Sequence, residues 1–224
     1  MITEVRRLRG RPGWVSVLIE GEGEDAVPLP LPLEEAANLG LGEGETVDGA
    51  TWKRATDQSA YEEAMHVSLV SLSVRQRSRA ELVKRLRKRC IPAAAIDRAH
   101  DRLAELGYLD DVAFASAFTR DRVRLRPCGV RRLMADLAGR GVAAGDARQG
   151  IEAALAEEEA DEAELLDRAA SRRAARLGPE WEEADRRRFH AYLTRRGFRG
   201  DAVSEWMARN LPPRTRNQAN GVAR

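Results

Sequence analysis

Three segments of this chain share one frame. Leu82-x3-Leu86-x2-Arg89-Cys90-Ile91, Leu133-x3-Leu137-x2-Arg140-Gly141-Val142 and Phe189-x3-Leu193-x2-Arg196-Gly197-Phe198 each carry an apolar i,i+4 pair, an arginine, a small residue and an apolar residue that restarts the chain. The copies lie 51 and 56 residues apart, and an apolar helical stretch precedes and follows each. One short amphipathic helix cannot bury its own apolar face, so a fixed repeat of this length is solved by stacking neighbours. The frame predicts a mainly α chain, built as a tandem array of three three-helix repeats.

Composition agrees with helices and excludes several classes. The chain has 224 residues, 33% of them charged and 5% aromatic, which suits solvated helices better than a thick β-sandwich. From about Ala60 onward apolar residues recur at spacings of three and four, as in Val67, Leu69, Val70 and Leu72. The beginning reads differently. Trp14-Val15-Ser16-Val17-Leu18-Ile19 is β-prone and follows the turn Gly10-Arg11-Pro12-Gly13, with Ile2 to Leu8 as its hairpin partner. Ala26 to Leu33 carries prolines at alternate positions and is at best an edge strand. Leu33 to Leu39 reads as a short helix closed by Gly40, and Gly40 to Gly49 as a turn. The expected organisation is a small β-containing N-terminal module over 1–57, repeats over 58–109, 110–158 and 159–211, and a disordered tail over 212–224.

Charge is unevenly spread although the formal balance is only +2. The net is −5 over 1–60, +7 over 75–102, +5 over 120–140 and −8 over 146–185. A basic middle is where a polyanionic or acidic partner is expected. No stretch approaches the roughly 20 apolar residues that span a bilayer, and the N-terminus lacks the apolar region of an export signal. Cys90 and Cys128 show no metal-type spacing and allow at most one disulfide, so a cytoplasmic location is expected. His66, His100 and His190 are widely separated, and neither a phosphate loop nor a nucleophile elbow occurs. The chain reads as a binding protein with no enzymatic activity, cofactor or metal.

Boundary signals are specific. Ser78-x2-Glu81 is a capping box. Gly107-Tyr108-Leu109-Asp110-Asp111 reads as a rigid corner: Gly107 ends one helix in the left-handed region, Asp110 caps the next, and Leu109 with Phe114 occupies the positions of a hydrophobic staple. Arg77-Ser78-x2-Glu81-Leu82-x3-Leu86, Gly107-Tyr108-Leu109-Asp110-Asp111-x2-Phe114-Ala115 and Leu193-x-Arg195-Arg196-Gly197-Phe198 together resemble the RecX family of bacterial recombination regulators over about Ala60 to Leu211. Two departures stand out. Cys90 stands where glycine is usual and asks for a modest backbone adjustment. Pro127-Cys128-Gly129 replaces a more basic approach to the second repeat and is expected to alter how that helix begins.

The resemblance implies an elongated, curved molecule that binds the RecA recombinase, or its filament on single-stranded DNA. It implies restraint of ATP hydrolysis, strand exchange and co-protease activity, and so a place in homologous recombination, DNA repair and the SOS response. A monomer with possible weak contact to single-stranded DNA and no membrane contact is the expected state. The alternative is a helical-repeat protein that binds nucleic acid directly through its Arg/Lys-rich helices.

The residues themselves sort the basic side chains. Arg89, Arg140 and Arg196 sit near helix C-termini, where a cation meets the helix dipole and its stem covers apolar surface, so they read mainly as structural. With Leu82 and Leu86 facing inward, a 100° step per residue turns Lys84, Arg87 and Lys88 outward. Arg131 and Arg132 likewise face away from Leu133 and Leu137. Those five and Arg195 form the expected partner-binding faces, with a plain solvated face as the alternative.

Overall fold

In a computed structural model, residues 1–19, 28–178 and 180–212 are described. They form a three-stranded antiparallel sheet and ten helices. Of the expected tail over 212–224, residues 213–224 lie outside the described residues, as do Ala26 and Val27 of the expected edge segment. The chain divides into two compact units, Met1–Asp110 and Asp111–Arg224.

The first unit opens with β1 (Ile2–Arg7) and β2 (Trp14–Ile19), paired as the predicted hairpin, with Arg7 opposite Val15. β3 (Leu29–Pro32) adds to the other side of β2, with Val15 opposite Leu31. The order β1-β2-β3 leaves the proline-bearing strand at an edge, because proline brings no N–H to a ladder. After α1 (Leu33–Asn38), the loop returns to β1: Ile2 N donates to Glu45 O at 2.9 Å and Gly44 N to Ile2 O at 3.0 Å.

The long helix α2 (Gly49–Val74) starts well before the expected boundary near residue 58. Asp48 supplies the stop and start signal, its carboxylate accepting from Thr51 N at 2.6 Å. The first half of α2 is a wall for the sheet. Ala55 is buried with Ile2, Val15, Val17 and Leu31, and Ser59 Oγ donates to Pro30 O at 2.6 Å. Arg11 is held by Glu63 through two hydrogen bonds and lies 5.1 Å from the Trp14 ring, whose other neighbour is His66. The second half of α2 packs with α3 (Arg79–Arg87) and α4 (Ala93–Glu105). Ala64, Val67, Leu86, Ile91, Ile96 and Ala99 form one core, and Leu82, Leu103 and Leu109 another.

The second unit contains α5 (Asp111–Leu125), α6 (Val130–Ala138) and α7 (Ala144–Glu157), followed by α8 (Glu162–Ala174), α9 (Glu183–Arg195) and α10 (Gly200–Asn210). Phe114, Ala115, Leu133, Leu137, Val142 and Ile151 share one core. Leu165, Leu166, Phe189, Leu193, Phe198, Val203 and Trp206 share another, with Val123 of α5 in it. Leu155 packs against both, so the two three-helix sets of this unit are continuous.

All nine apolar residues of the repeated frame are buried: Leu82, Leu86, Ile91, Leu133, Leu137, Val142, Phe189, Leu193 and Phe198. Each copy ends in the same pair of hydrogen bonds. Ile91 N donates to Leu86 O, Val142 N to Leu137 O and Phe198 N to Leu193 O. Cys90 N donates to Arg87 O, Gly141 N to Ala138 O and Gly197 N to Thr194 O. This pattern requires a left-handed residue, with φ of 58°, 76° and 89° at Cys90, Gly141 and Gly197. The small residue of the frame is therefore a conformational requirement, and Cys90 meets it at the cost of a crowded Cβ.

At the corner, Gly107 is left-handed with φ of 72° and α5 begins at Asp111. Leu109 and Phe114 are both buried but belong to different cores, Leu109 with Leu82 and Leu103, Phe114 with Leu133 and Leu137. Tyr108 is exposed.

Candidate functional site

The expected partner-binding residues are all exposed; Lys84, Arg87 and Lys88 share one place in the first unit, and Arg132 and Arg195 share another in the second. In the first unit, Ser78 Oγ accepts from Glu81 N at 3.2 Å and starts α3, while Arg75 pairs with Glu81 at 2.9 Å. The helix then turns Leu82 and Leu86 inward. Lys84, Arg87 and Lys88 consequently line an open depression together with Ala80 and Val83. Arg89 leaves this face and reaches α2, 3.3 Å from Glu63.

The second unit arranges its cations differently. Arg122 and Arg126 from the end of α5, Arg132 from α6, and Arg195 and Arg196 from the end of α9 line one cavity of about 250 Å³ with Cys128 and Asp136. Arg131, exposed one residue before Arg132, is not part of this lining. Asp136 pairs with Arg132 at 2.8 Å and stands 3.7 Å from Arg122. Arg196 donates to Pro127 O at 3.0 Å. Rings orient two of the guanidiniums, Arg122 lying 5.0 Å from the Phe118 centroid and Arg196 5.3 Å from that of Tyr192. Arg126 and Arg195 have no carboxylate partner among the described residues. Burial pushes the Cys128 thiol up, more than its neighbouring arginines pull it down, so it is an inert wall residue.

The frame arginines divide accordingly. Arg89 reaches Glu63 and Arg140 lies 5.0 Å from the Phe118 ring, each touching the first helix of its own set. Arg196 instead reaches Pro127, in the loop between α5 and α6. That loop is held by backbone contact. Gly129, just before α6, has no side chain to cap the helix; its amide donates to Arg196 O at 2.9 Å, and the Val130 amide donates to Glu162 Oε1 at 3.3 Å. A Cβ on Gly129 would fall on the Gly197 carbonyl and lie 2.7 Å from Phe198 N. The glycine of Pro127-Cys128-Gly129 lets α6 abut the end of α9. Sequence reading missed Arg122, Arg126, Asp136 and Arg196 as a cluster, since their meeting depends on this contact. The signal that could have found it was the glycine at 129, where the first repeat has Ser78.

Among the described residues no group of His, Cys, Asp and Glu is placed to hold a metal ion, and no helix is long and apolar enough to cross a membrane. Cys90 and Cys128 are free thiols, the first exposed and the second buried.

Comparison with known proteins matches residues 64–103 to the first three-helix domain of RecX and residues 110–155 to its second. A regulatory protein RecX from Pelodictyon phaeoclathratiforme is 36% identical over 138 residues, which cover 60% of this chain and 81% of that protein. One from Thermobifida fusca is 35% identical over 152 residues, covering 67% and 80%. One from Mycolicibacterium smegmatis is 38% identical over 142 residues, covering 61% and 73%. Among solved structures, a regulatory protein RecX superposes with a TM-score of 0.65 at 19% identity, over 91% of this chain and 96% of that one. RecX from Lactobacillus salivarius gives 0.56 at 20%, over 66% and 95%. At such identities the superpositions speak for the fold, while the longer sequence matches speak for descent. The repeated frame, the caps that close it and the aligned relatives lead to one conclusion: this chain belongs to the RecX family of regulatory proteins.

Proposed function

We propose that this chain is a non-enzymatic, monomeric, cytoplasmic regulator of the RecA recombinase. It binds RecA or the RecA filament on single-stranded DNA and restrains ATP hydrolysis, strand exchange and co-protease activity. The observation that carries the reading is the match of both three-helix domains to regulatory RecX proteins. The exposed α3 face of Lys84, Arg87 and Lys88, and the second cationic place with Arg131, Arg132 and Arg195, are its contacts with the filament. Local positive patches speed the encounter with an acidic surface, while buried contacts set the lifetime of the complex.

The test is a titration of RecA ATPase at fixed single-stranded DNA, repeated with DNA in several-fold excess over RecA. Filament docking predicts inhibition at amounts well below one molecule per RecA and little change with excess DNA. Inhibition that requires a dose proportional to total DNA supports direct coating of the nucleic acid instead. No inhibition at any dose overturns the proposal.

A further inference from the structure

We infer that the cavity between α5, α6 and the end of α9 is a binding site for the phosphodiester backbone of a single nucleic-acid strand. The inference deepens the reading above by naming the residues of a weak DNA contact, and its test contains no RecA.

Five guanidiniums and one carboxylate line the cavity, so its field is strongly positive although the whole chain is nearly neutral. Guanidinium forks match phosphate oxygens bidentately, and such charge-assisted hydrogen bonds are the strong ones. The wall is preorganised. Arg196 is fixed by Pro127 O and Tyr192, Arg122 by Phe118, and the Gly129–Gly197 contact holds α6 against α9. Arg126 and Arg195, lacking carboxylate partners among the described residues, are the donors free to meet a ligand.

The lining also says what the ligand is not. It holds no aromatic or aliphatic side chain, only Arg, Asp and the buried Cys128. A nucleotide bound for its base or sugar needs a surface to stack on, and the nearby rings of Phe118 and Tyr192 already face guanidiniums. A protein partner is ordinarily anchored by aromatic or aliphatic residues seated in a pocket core. A ligand read through its anionic oxygens alone, independent of sequence, is a strand backbone.

The experiment is fluorescence anisotropy of labelled oligothymidylate with the full chain across a salt series. Arg126→Gln/Arg195→Gln is expected to weaken binding about tenfold, and to flatten the salt dependence by about 0.7 in log–log slope for each phosphate no longer neutralised. Arg148→Gln/Arg172→Gln removes the same charge from exposed positions outside the cavity and is expected to change affinity by less than about twofold. Asp136→Asn frees Arg132 and Arg122 and is expected to tighten binding about threefold, a gain that misfolding cannot imitate. Equal losses in the two double variants, or no tightening in Asp136→Asn, overturn the inference. So does oligoglutamate binding that depends on Arg126 and Arg195 while oligothymidylate binding does not. If oligothymidylate binds as expected but RecA ATPase is untouched by the wild-type protein, the RecA reading fails and this site stands.

Discussion

The first and second three-helix sets use the same frame to different ends. Around α3 the helix starts on a hydroxyl cap, Ser78, and its cations stand around an open depression beside Ala80 and Val83. Around α6 the cap is a bare glycine, its amide bonded to the end of α9, and the cations turn into a cavity shared by three helices. The difference is a few atoms at the cap. A side chain at 129 would satisfy the helix locally but could not coexist with Gly197. A locally capped helix leaves its outer face open; one whose start is held against the end of a neighbouring helix brings that neighbour's arginines with it.

The largest expected effect tests whether the shared frame is equally needed on both sides. Leu86→Ala and Leu193→Ala each empty a fully buried site and should cost about 2–5 kcal/mol. Hydrogen exchange should place the loss from Leu86→Ala within 1–110 and that from Leu193→Ala within the second unit. A loss spread evenly over the whole chain from either variant would break the division. Gly129→Ala comes next, about 1–3 kcal/mol from overpacking against backbone that cannot yield. At the equivalent position of the first set, Ser78→Gly should cost only a few tenths of a kcal/mol. Chemical denaturation of the two variants measures the contrast directly.

Smaller still is the cap at the other end of α3. Cys90 is left-handed where Gly141 and Gly197 serve the other sets. Cys90→Gly should stabilise the chain by up to about 1 kcal/mol, since relief of about 1–2 kcal/mol of steric cost exceeds the added unfolded-state entropy. A drop in the unfolding midpoint would show that the thiol makes contacts worth more than its strain.

The first unit should also be the more acid-sensitive. Burial, with Arg79 beside it, holds the His100 imidazole below the ordinary histidine value, against the opposite pull of Asp97 and Asp101. A histidine kept neutral by folding contributes stability that is full above the unfolded value near 6.5 and is lost as pH falls from there toward the folded value. Burial raises the Glu63 carboxyl, but Arg11, Arg89 and His66 outweigh it and hold it below its usual 4.5. Its contribution is therefore intact between about pH 7 and 5, and is lost only lower. Unfolding midpoints between about pH 8 and 5 should fall, and His100→Gln should flatten that fall; an unchanged slope would remove His100 from the account. The smallest effect on stability is expected from Lys84→Glu/Arg87→Glu/Lys88→Glu, within about 0.5 kcal/mol because these charges are exposed. The same variant should lose inhibition of RecA, which separates a contact face from a solvated one.

Much of this was legible from residue order alone. Helices and caps are local: an apolar i,i+4 pair, Ser78 three residues before Glu81, and a small residue before the restarting apolar one each act within a few residues along the chain. The hairpin and its proline-bearing edge strand follow from equally local chemistry. The start of α2 was harder to place, because Asp48 is a weak signal beside the glycines at 40, 42, 44 and 49 and the helix is also held by packing under the sheet.

By itself, then, the sequence determined the repeat, its three caps, the buried frame and the outward turn of Lys84, Arg87 and Lys88, since all of these depend on spacing within one helix. Only the tertiary structure decided that Arg122, Arg126, Arg132, Arg195 and Arg196 meet. They come from segments up to 74 residues apart, and what joins them is a backbone-to-backbone contact at Gly129 and Gly197 that no periodicity encodes.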